Sequence, residues 1–315
     1  MSALRIGAEV AGWAAVLAGA AGVALHFSPF DARLSVLAAA LVPYLLLGAV
    51  LAVLLFAGLR SWIGALAGVL VAGVAVWIQA PLFLGESVAG SGPEFTVAQA
   101  NLLFDGADPA AFVDAMRERE VDLLTVNELT PAALDGLAAA ELDALLPHRH
   151  VSPGRTATGT GIWSRYPLTG AVEFDGFVLN QLGATAEIPG AGPVSVFALH
   201  PVPPVYGVDV WADELERLRA IVERAPADRP AVVGGDFNAT HDHAQFRRWL
   251  TGRFRDAAEQ SGAGLLRTYP ADRRYPPLIG IDHILLAGGR AHGVAVVALP
   301  GADHRALVAR VRPSS

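Results

Sequence analysis

The chain has 315 residues, 53% of them hydrophobic before its 33 glycines are counted, and only 17% charged, against about 25% in an ordinary soluble domain. So much apolar surface must be buried in a core or in lipid, which excludes disorder and a single soluble domain. No cysteine is present, so a disulfide framework, a thiolate nucleophile and a cysteine zinc site are excluded. The net charge of -7 falls entirely on the residues after position 86; it argues against loose electrostatic binding of nucleic acid and favours chemistry that recruits cations.

Residues 1–86 hold three arginines (Arg5, Arg33, Arg60) and three acids (Glu9, Asp31, Glu86). Between them, Val10 to Phe30, Leu34 to Leu59 and Ser61 to Gly85 lack any Asp, Glu, Lys or Arg. A helix of about 20 such residues crosses a hydrocarbon core about 30 Å thick. A signal peptide has one apolar run of about 7 to 15 residues, so three long runs in succession predict three spanning helices. Pro43 is a candidate kink in the second, and Trp13, Trp62 and Trp77 are candidate interfacial anchors. None of the runs carries the buried charge that marks an ion path, so residues 1–85 read as a membrane anchor rather than a transporter. Arg5 and Arg60 fall on one side and Arg33 on the other; placing the pair inside puts everything after Gly85 outside the cytoplasm, in a multi-pass cell-membrane protein. Glu86 to Glu94 (ESVAGSGPE) reads as a linker, with a reach of about 30 Å at about 3.5 Å per residue.

From Phe95 onward the pattern changes to short β-rich runs alternating with helices, and residues 95–315 read as the catalytic domain. FTVAQANLL is followed by a helix opened by Asp108-Pro109, then VDLLTVNEL by a helix opened by Thr130-Pro131; proline behind an Asp or Thr cap is an expected helix start. Further strands are predicted at GTGIWSR, AVEFDG, GATAEI, PVSVFALH, PAVVGGDF, GIDHILLA and GVAVVAL, with helices over Asp209 to Arg224 and Asp242 to Leu250. The sum predicts two sheets covered by helices in a layered α/β sandwich.

Polar side chains recur at the ends of these apolar strands. Asn101, Glu128, His200, Asp236 with Asn238, Asp282 with His283, and Asp303 with His304 all sit there. Any one of them reads equally as a turn residue or a cap; the whole set is harder to explain that way. Its carboxylates and amide oxygens suit a hard divalent cation such as Mg²⁺ or Mn²⁺ better than zinc. Such an ion shields phosphate oxygens, while an Asp beside a His supplies an oriented imidazole for proton transfer.

In GGDFNA (Gly234 to Ala239), IDHIL (Ile281 to Leu285), ADHRA (Ala302 to Ala306) and the earlier NEL, the chain resembles the endonuclease/exonuclease/phosphatase superfamily, the deoxyribonuclease I-like metal-dependent phosphoesterases. The resemblance covers about Phe95 to Arg312 and implies a four-layer α/β/β/α sandwich with the site at one edge of the two sheets. It implies Glu128 as principal metal ligand, with Asn101 and Asp303 close to the metal or its waters. Asp236 would activate the attacking water, Asn238 hold a phosphate oxygen, His304 paired with Asp282 handle a proton, and His200 bind the phosphoryl group from the other side. The departures are Asn127 where many members have Gln, Leu103 where some nucleases have an acid, and His283 where several have Tyr or Phe.

The expected function is therefore a membrane-anchored Mg²⁺-dependent phosphoesterase at the outer surface, its substrate lipid-linked because the tether is short. A tethered nuclease is less favoured on charge, and a silent phospholigand-binding protein is the third reading; no obligate protein partner is inferred. Arg273, Arg274 and Tyr275, in the proline-rich loop before Asp282, are candidate substrate contacts. His241 and His243 closely follow the Asp-Phe-Asn motif and read either as substrate contacts or, with more weight, as solvated residues around a helix-capping Asp242. Arg247, Arg248, Arg253 and Arg255 read equally as a phosphate strip or a helix surface.

Overall fold

The computed structural model describes residues 3–29, 32–86 and 92–314. Four helices open the chain: α1 (Ala3–Phe27), α2 (Arg33–Ala39), α3 (Val42–Leu59) and α4 (Trp62–Gln79), the last running on through a tight turn to Leu82. Of these, α1, α3 and α4 are long and apolar enough to cross a membrane. Phe56 is fully buried among them, between Gly12 and Gly64, where an added Cβ would come within 2.7 and 2.5 Å of its ring. Small residues thus let the helices close up, as membrane bundles require. The outer faces expose Leu17, Leu54, Leu70 and Trp77, a surface suited to lipid.

The second apolar run is not one kinked helix. It breaks at Ala40-Leu41, and Pro43 falls in the first turn of α3. The proline ring cannot accommodate the carbonyl of the residue four places earlier; that residue is Ala39, where α2 stops. Only the 18 residues of α3, about 27 Å of helix, remain to span. The short α2 goes elsewhere.

Twelve strands follow: β1 (Phe95–Asn101), β2 (Leu123–Asn127), β3 (His148–Ser152), β4 (Thr160–Ser164), β5 (Leu168–Glu173), β6 (Leu182–Ile188), β7 (Gly192–Leu199), β8 (Ala231–Asp236), β9 (Arg255–Asp256), β10 (Asp282–Ala287), β11 (Gly289–Ala298) and β12 (Arg305–Pro313). They form two six-stranded sheets, ordered β11-β12-β1-β2-β4-β3 and β5-β6-β7-β8-β10-β9. Each has one central parallel pair, β1 with β2 or β7 with β8, flanked on both sides by antiparallel neighbours. Interspersed are α5 (Pro109–Glu118), α6 (Pro131–Ala139), α7 (Leu142–Leu145), α8 (Val208–Glu223), α9 (Ala244–Arg247) and α10 (Ala257–Ser261).

Alternation along the strands builds four layers. Ala98, Ala100, Leu124 and Val126 pack outward on Phe112 and Met116 of α5 and Leu137 of α6. Leu199, Val233 and Leu285 pack on Trp211, Leu215 and Leu218 of α8. Val97, Leu123 and Ile162 meet Leu182, Val196 and Ile284 between the sheets. Asp108 and Thr130 cap α5 and α6 as expected, accepting from the N–H groups of Ala110 and Ala111 and of Ala133. The helix expected over Asp242 to Leu250 shrinks to α9 and a 3-10 turn. Strands β3 and β9 carried no sequence signal strong enough to predict them.

Residues 87–91 of the expected linker lie outside the described residues. The N-terminal helices nevertheless dock directly on the α/β sandwich. Val36 of α2 is buried in the same cluster as Phe197, Val202 and Trp211, and its carbonyl lies 2.9 Å from His243 Nε2. Asp242 is no helix cap: one of its oxygens lies 2.7 Å from His26 Nδ1 and accepts from Gln79 at 3.0 Å. Arg247 donates to the His26 carbonyl, Tyr44 to the Leu278 carbonyl, and the Gly264 N–H to the Leu82 carbonyl.

This contact gives the fold a pH dependence. His243 is buried rather than solvated, and burial lowers its pKa from 6.5 to about 4, although the carbonyls of Val36 and Thr240 and the charge of Asp242 oppose that and Arg247 adds to it. The folded value lies below the unfolded one, so in this window the unfolded chain binds more protons and stability falls as pH drops from 6.5 towards 4. A His243→Gln protein should lose less melting temperature than the wild type between pH 6.5 and 4; equal losses would contradict the assignment.

Candidate active site

The parallel pairs aim their C-terminal ends at one place. Asn101 and Asn127 end β1 and β2 in register, Leu199 and Asp236 end β7 and β8, and Asp282 opens β10 directly opposite Asp236. Asn127, which stands where many members of the resembled family have Gln, bridges the two sheets. Its Oδ1 accepts from Gln99 at 2.8 Å and from the Asp236 N–H at 2.9 Å, and its Nδ2 donates to the Leu199 carbonyl at 3.1 Å. The glycines of GGDFNA answer the same closeness: a Cβ on Gly234 would overlap Thr125 Oγ1, and one on Gly235 the Leu199 carbonyl.

Asp236 is the centre of the arrangement. Its Oδ1 accepts from the Asn238 N–H at 2.9 Å, and its Oδ2 accepts from Asn101 Nδ2 at 3.1 Å. The same Oδ2 lies 3.6 Å from His304 Nε2 and 3.7 Å from His200 Nε2. His304 Nδ1 lies 2.8 Å from Asp282 Oδ2, and the Tyr269 ring packs 4.8 Å from the His304 ring. Asp236, Asp282 and His304 bring their ligand atoms within 4.8 Å of one another.

Charge is distributed accordingly. Burial raises the Asp236 pKa, opposed by His304 and reinforced by Asp282. Burial also works to raise Asp282, but His304 and the Thr268 hydroxyl hold it below the usual carboxylate value. Burial opposes a charge on His304, yet Asp282 and Asp236 outweigh it and raise its pKa, so the imidazolium persists at neutral pH. His200 is lowered to about 3 by burial and by His304, and is therefore a neutral ring.

Glu128 and Asn238 follow the ends of β2 and β8 with φ of 57° and 50°, and Leu103 and Phe104 beyond β1 share that left-handed region. Four such non-glycine residues around one site mark backbone held in place by its surroundings. Glu128 Oε2 is buried without a hydrogen-bond partner, and so is Asp282 Oδ1. Buried carboxylate oxygens without a hydrogen-bond partner fit a hard divalent cation. Burial raises the pKa of both Glu128 and Asp303, reinforced by neighbouring carboxylates and only partly offset by the charge on His304. Asn101 reaches Glu128 and Asp236 through its amide N–H, while its oxygen accepts from the Leu103 N–H at 3.0 Å.

These groups line a cleft of about 610 Å³ shared by Glu128, His200, Asp236, Asn238, Asp303 and His304. Arg273, Arg274 and Tyr275 do not line it: all three are exposed, and Arg273 pairs with its neighbour Asp272. A loop whose polar residues sit at its tip points them into solvent, and only its base, Tyr269 and Ile279, reaches the cleft. His283 belongs to the core, stacked 3.9 Å from Phe246 and bonded to Asp256 and the Ala239 carbonyl. Arg253 and Arg255 are spent on backbone carbonyls. Sequence reasoning also missed Glu214, buried on α8, which accepts from the N–H groups of Val178 and Val202 and so fixes two loops at the cleft.

A model of the endonuclease/exonuclease/phosphatase family matches residues 98–313, most of the chain and all of the site. The chain belongs to this family. Solved structures agree on the fold. An endonuclease/exonuclease/phosphatase from Beutenbergia cavernae superposes with a TM-score of 0.56 at 20% identity, over 70% of this chain and 72% of that one. A humanized D. rerio TDP2 gives 0.59 at 16% identity over 70% and 99%, and the family member from Bacteroides vulgatus 0.57 at 17% over 70% and 100%. Among curated protein sequences nothing matches. As a family member the chain is a metal-dependent phosphoric ester hydrolase, with the expected α/β sandwich behind three apolar helices.

Proposed function

We propose that this phosphoesterase hydrolyses a phosphate ester or pyrophosphate carried on a lipid, at the outer face of the cell membrane, with Mg²⁺ as its ion. The observation that carries this reading is that the cleft holding Asp236 and His304 is walled in part by Val36, Leu37 and Ala40, the connection between two spanning helices. A substrate embedded in the bilayer needs no travel to reach such a site. The outward orientation rests on Arg5 and Arg60 lying at the helix ends away from the docked domain.

Water attacks phosphorus in line with the ester oxygen; the new P–O bond forms as the old one breaks, and its electrons leave with the departing oxygen. Asp236, with its raised proton affinity, takes the proton of the water, and the His304 imidazolium donates one to the leaving oxygen or to the phosphate. His200 and Asn238 present neutral N–H donors to the phosphoryl oxygens. Glu128, with Asp303 nearby, would hold a Mg²⁺ ion, which would supply neutralising charge for the phosphate.

The test uses the full-length protein in nanodiscs with Mg²⁺, offered a polyprenyl pyrophosphate, a phospholipid and plasmid DNA in parallel, with His304→Ala as control. Phosphate release from a lipid, lost in the control, is the expected result. Cleavage of DNA alone would replace the reading with that of a tethered nuclease.

A further inference from the structure

The break at Pro43 frees α2 from the membrane span and lays it against the catalytic domain. Apart from Arg33 and Ser35 its residues are all apolar. Val36 and Ala39 are buried, whereas Leu34 and Leu37, three residues apart, are 83% and 36% exposed, and Leu41, just beyond the helix, is 45% exposed. A soluble helix would carry polar residues on its exposed face. An exposed leucine stripe on a segment joined to spanning helices at both ends is suited to lying in the acyl boundary of the bilayer. Across the same cleft, two loops of the catalytic domain add Val178 and Val205, 44% and 59% exposed. Glu214 ties both loops to α8 through the Val178 and Val202 N–H groups, so their apolar side chains are presented on a fixed frame.

We infer that Leu37 of α2, with Val178 and Val205, forms a subsite for the first methylenes of a hydrocarbon chain esterified to the phosphate at Asp236 and His304, entered sideways from the bilayer. This rests on the lipid-phosphate reading above and extends it to the residues that select for a chain. The occupant is a lipid tail rather than a protein segment, because the wall that would receive it continues directly into α1 and α3, which lipid surrounds. In this arrangement the membrane region is part of the binding site as well as an anchor. The gain from burying a chain is realised equally in ground and transition states, so it appears in kcat/KM.

The experiment uses the full-length protein in nanodiscs and a series of p-nitrophenyl alkyl phosphates from methyl to octyl, kept below their aggregation concentrations. For the wild type, kcat/KM is expected to climb about threefold to fourfold for each of the first few methylenes. In Leu37→Gln that climb flattens; in Val205→Gln, which leaves the membrane region untouched, it flattens as well. A wild type indifferent to chain length, or two variants that keep its slope, would overturn the subsite while leaving the phosphoesterase in place. A uniform loss on every ester in both variants would overturn it too, since that is the mark of a structural role. No hydrolysis of any member by the wild type would instead sink the lipid-phosphate reading itself.

Discussion

Asp236→Asn is expected to lower kcat by about a thousandfold or more while leaving the protein at least as stable. A positioned proton acceptor is worth about 10²- to 10⁴-fold, and Asp236 is also the residue on which Asn101, Asn238, His200 and His304 converge. Folding tolerates the change for the same reason that catalysis does not. A carboxylate whose pKa is raised by burial is costly to keep charged, and an amide of equal size removes that cost. It can still accept from the Asn238 N–H. The check is kcat on bis-p-nitrophenyl phosphate beside a thermal melt: residual activity within tenfold of wild type would remove Asp236 from the chemistry, and a collapsed melt would show that its role is structural.

Glu128→Gln should separate metal binding from folding. Without added metal, the substitution relieves repulsion among Glu128, Asp303 and Asp282, so the variant is expected to melt no lower than wild type. Adding Mg²⁺ at about 100 times its dissociation constant stabilises a native protein by about 2.7 kcal/mol. The wild type should show that shift and the variant little of it, with the Mg²⁺ concentration for half-maximal activity moved up by about 10- to 100-fold. Identical metal-induced shifts in both proteins would mean that the uncovered Glu128 oxygen is not a ligand, and would pass the role to Asp282, whose Oδ1 is also without a partner.

Much of this site was legible in the sequence because its residues terminate strands. An apolar run ending in Asn101, Glu128 or Asp236 shows both where a strand stops and what it offers there, and two parallel pairs bring those ends together. The bridging amide of Asn127 was not legible, because its partners Gln99, Leu199 and Asp236 come from three strands and meet only across the gap between sheets. That Arg273 and Arg274 stand outside the cleft was not legible for the opposite reason: charge and proximity along the chain to Asp282 say nothing about which way a loop tip faces. The docking of the membrane region was hidden in the same way. Leu34 to Leu59 is uniformly apolar, and hydropathy alone does not distinguish a helix that crosses lipid from one that, like α2, rests on a protein. Pro43 was the available signal, read as a kink where its missing N–H and bulky ring in fact ended one helix and began another.

The order in which the strands are used has a consequence for the protein's synthesis. β12 pairs with β1 across more than two hundred residues of intervening chain, and Asp303 and His304 arrive immediately before it. A ribosome that has already delivered the N-terminal helices, the whole of the second sheet and Glu128 has still made no His304, and the first sheet still lacks β12 between β11 and β1. The His304–Asp282 pair, to which the proposed mechanism gives a proton transfer, is therefore among the last parts of the site to be made. Long-range pairing of this kind is slow to form, so the site is completed only after its other strands, and the helices beside them, have been synthesised.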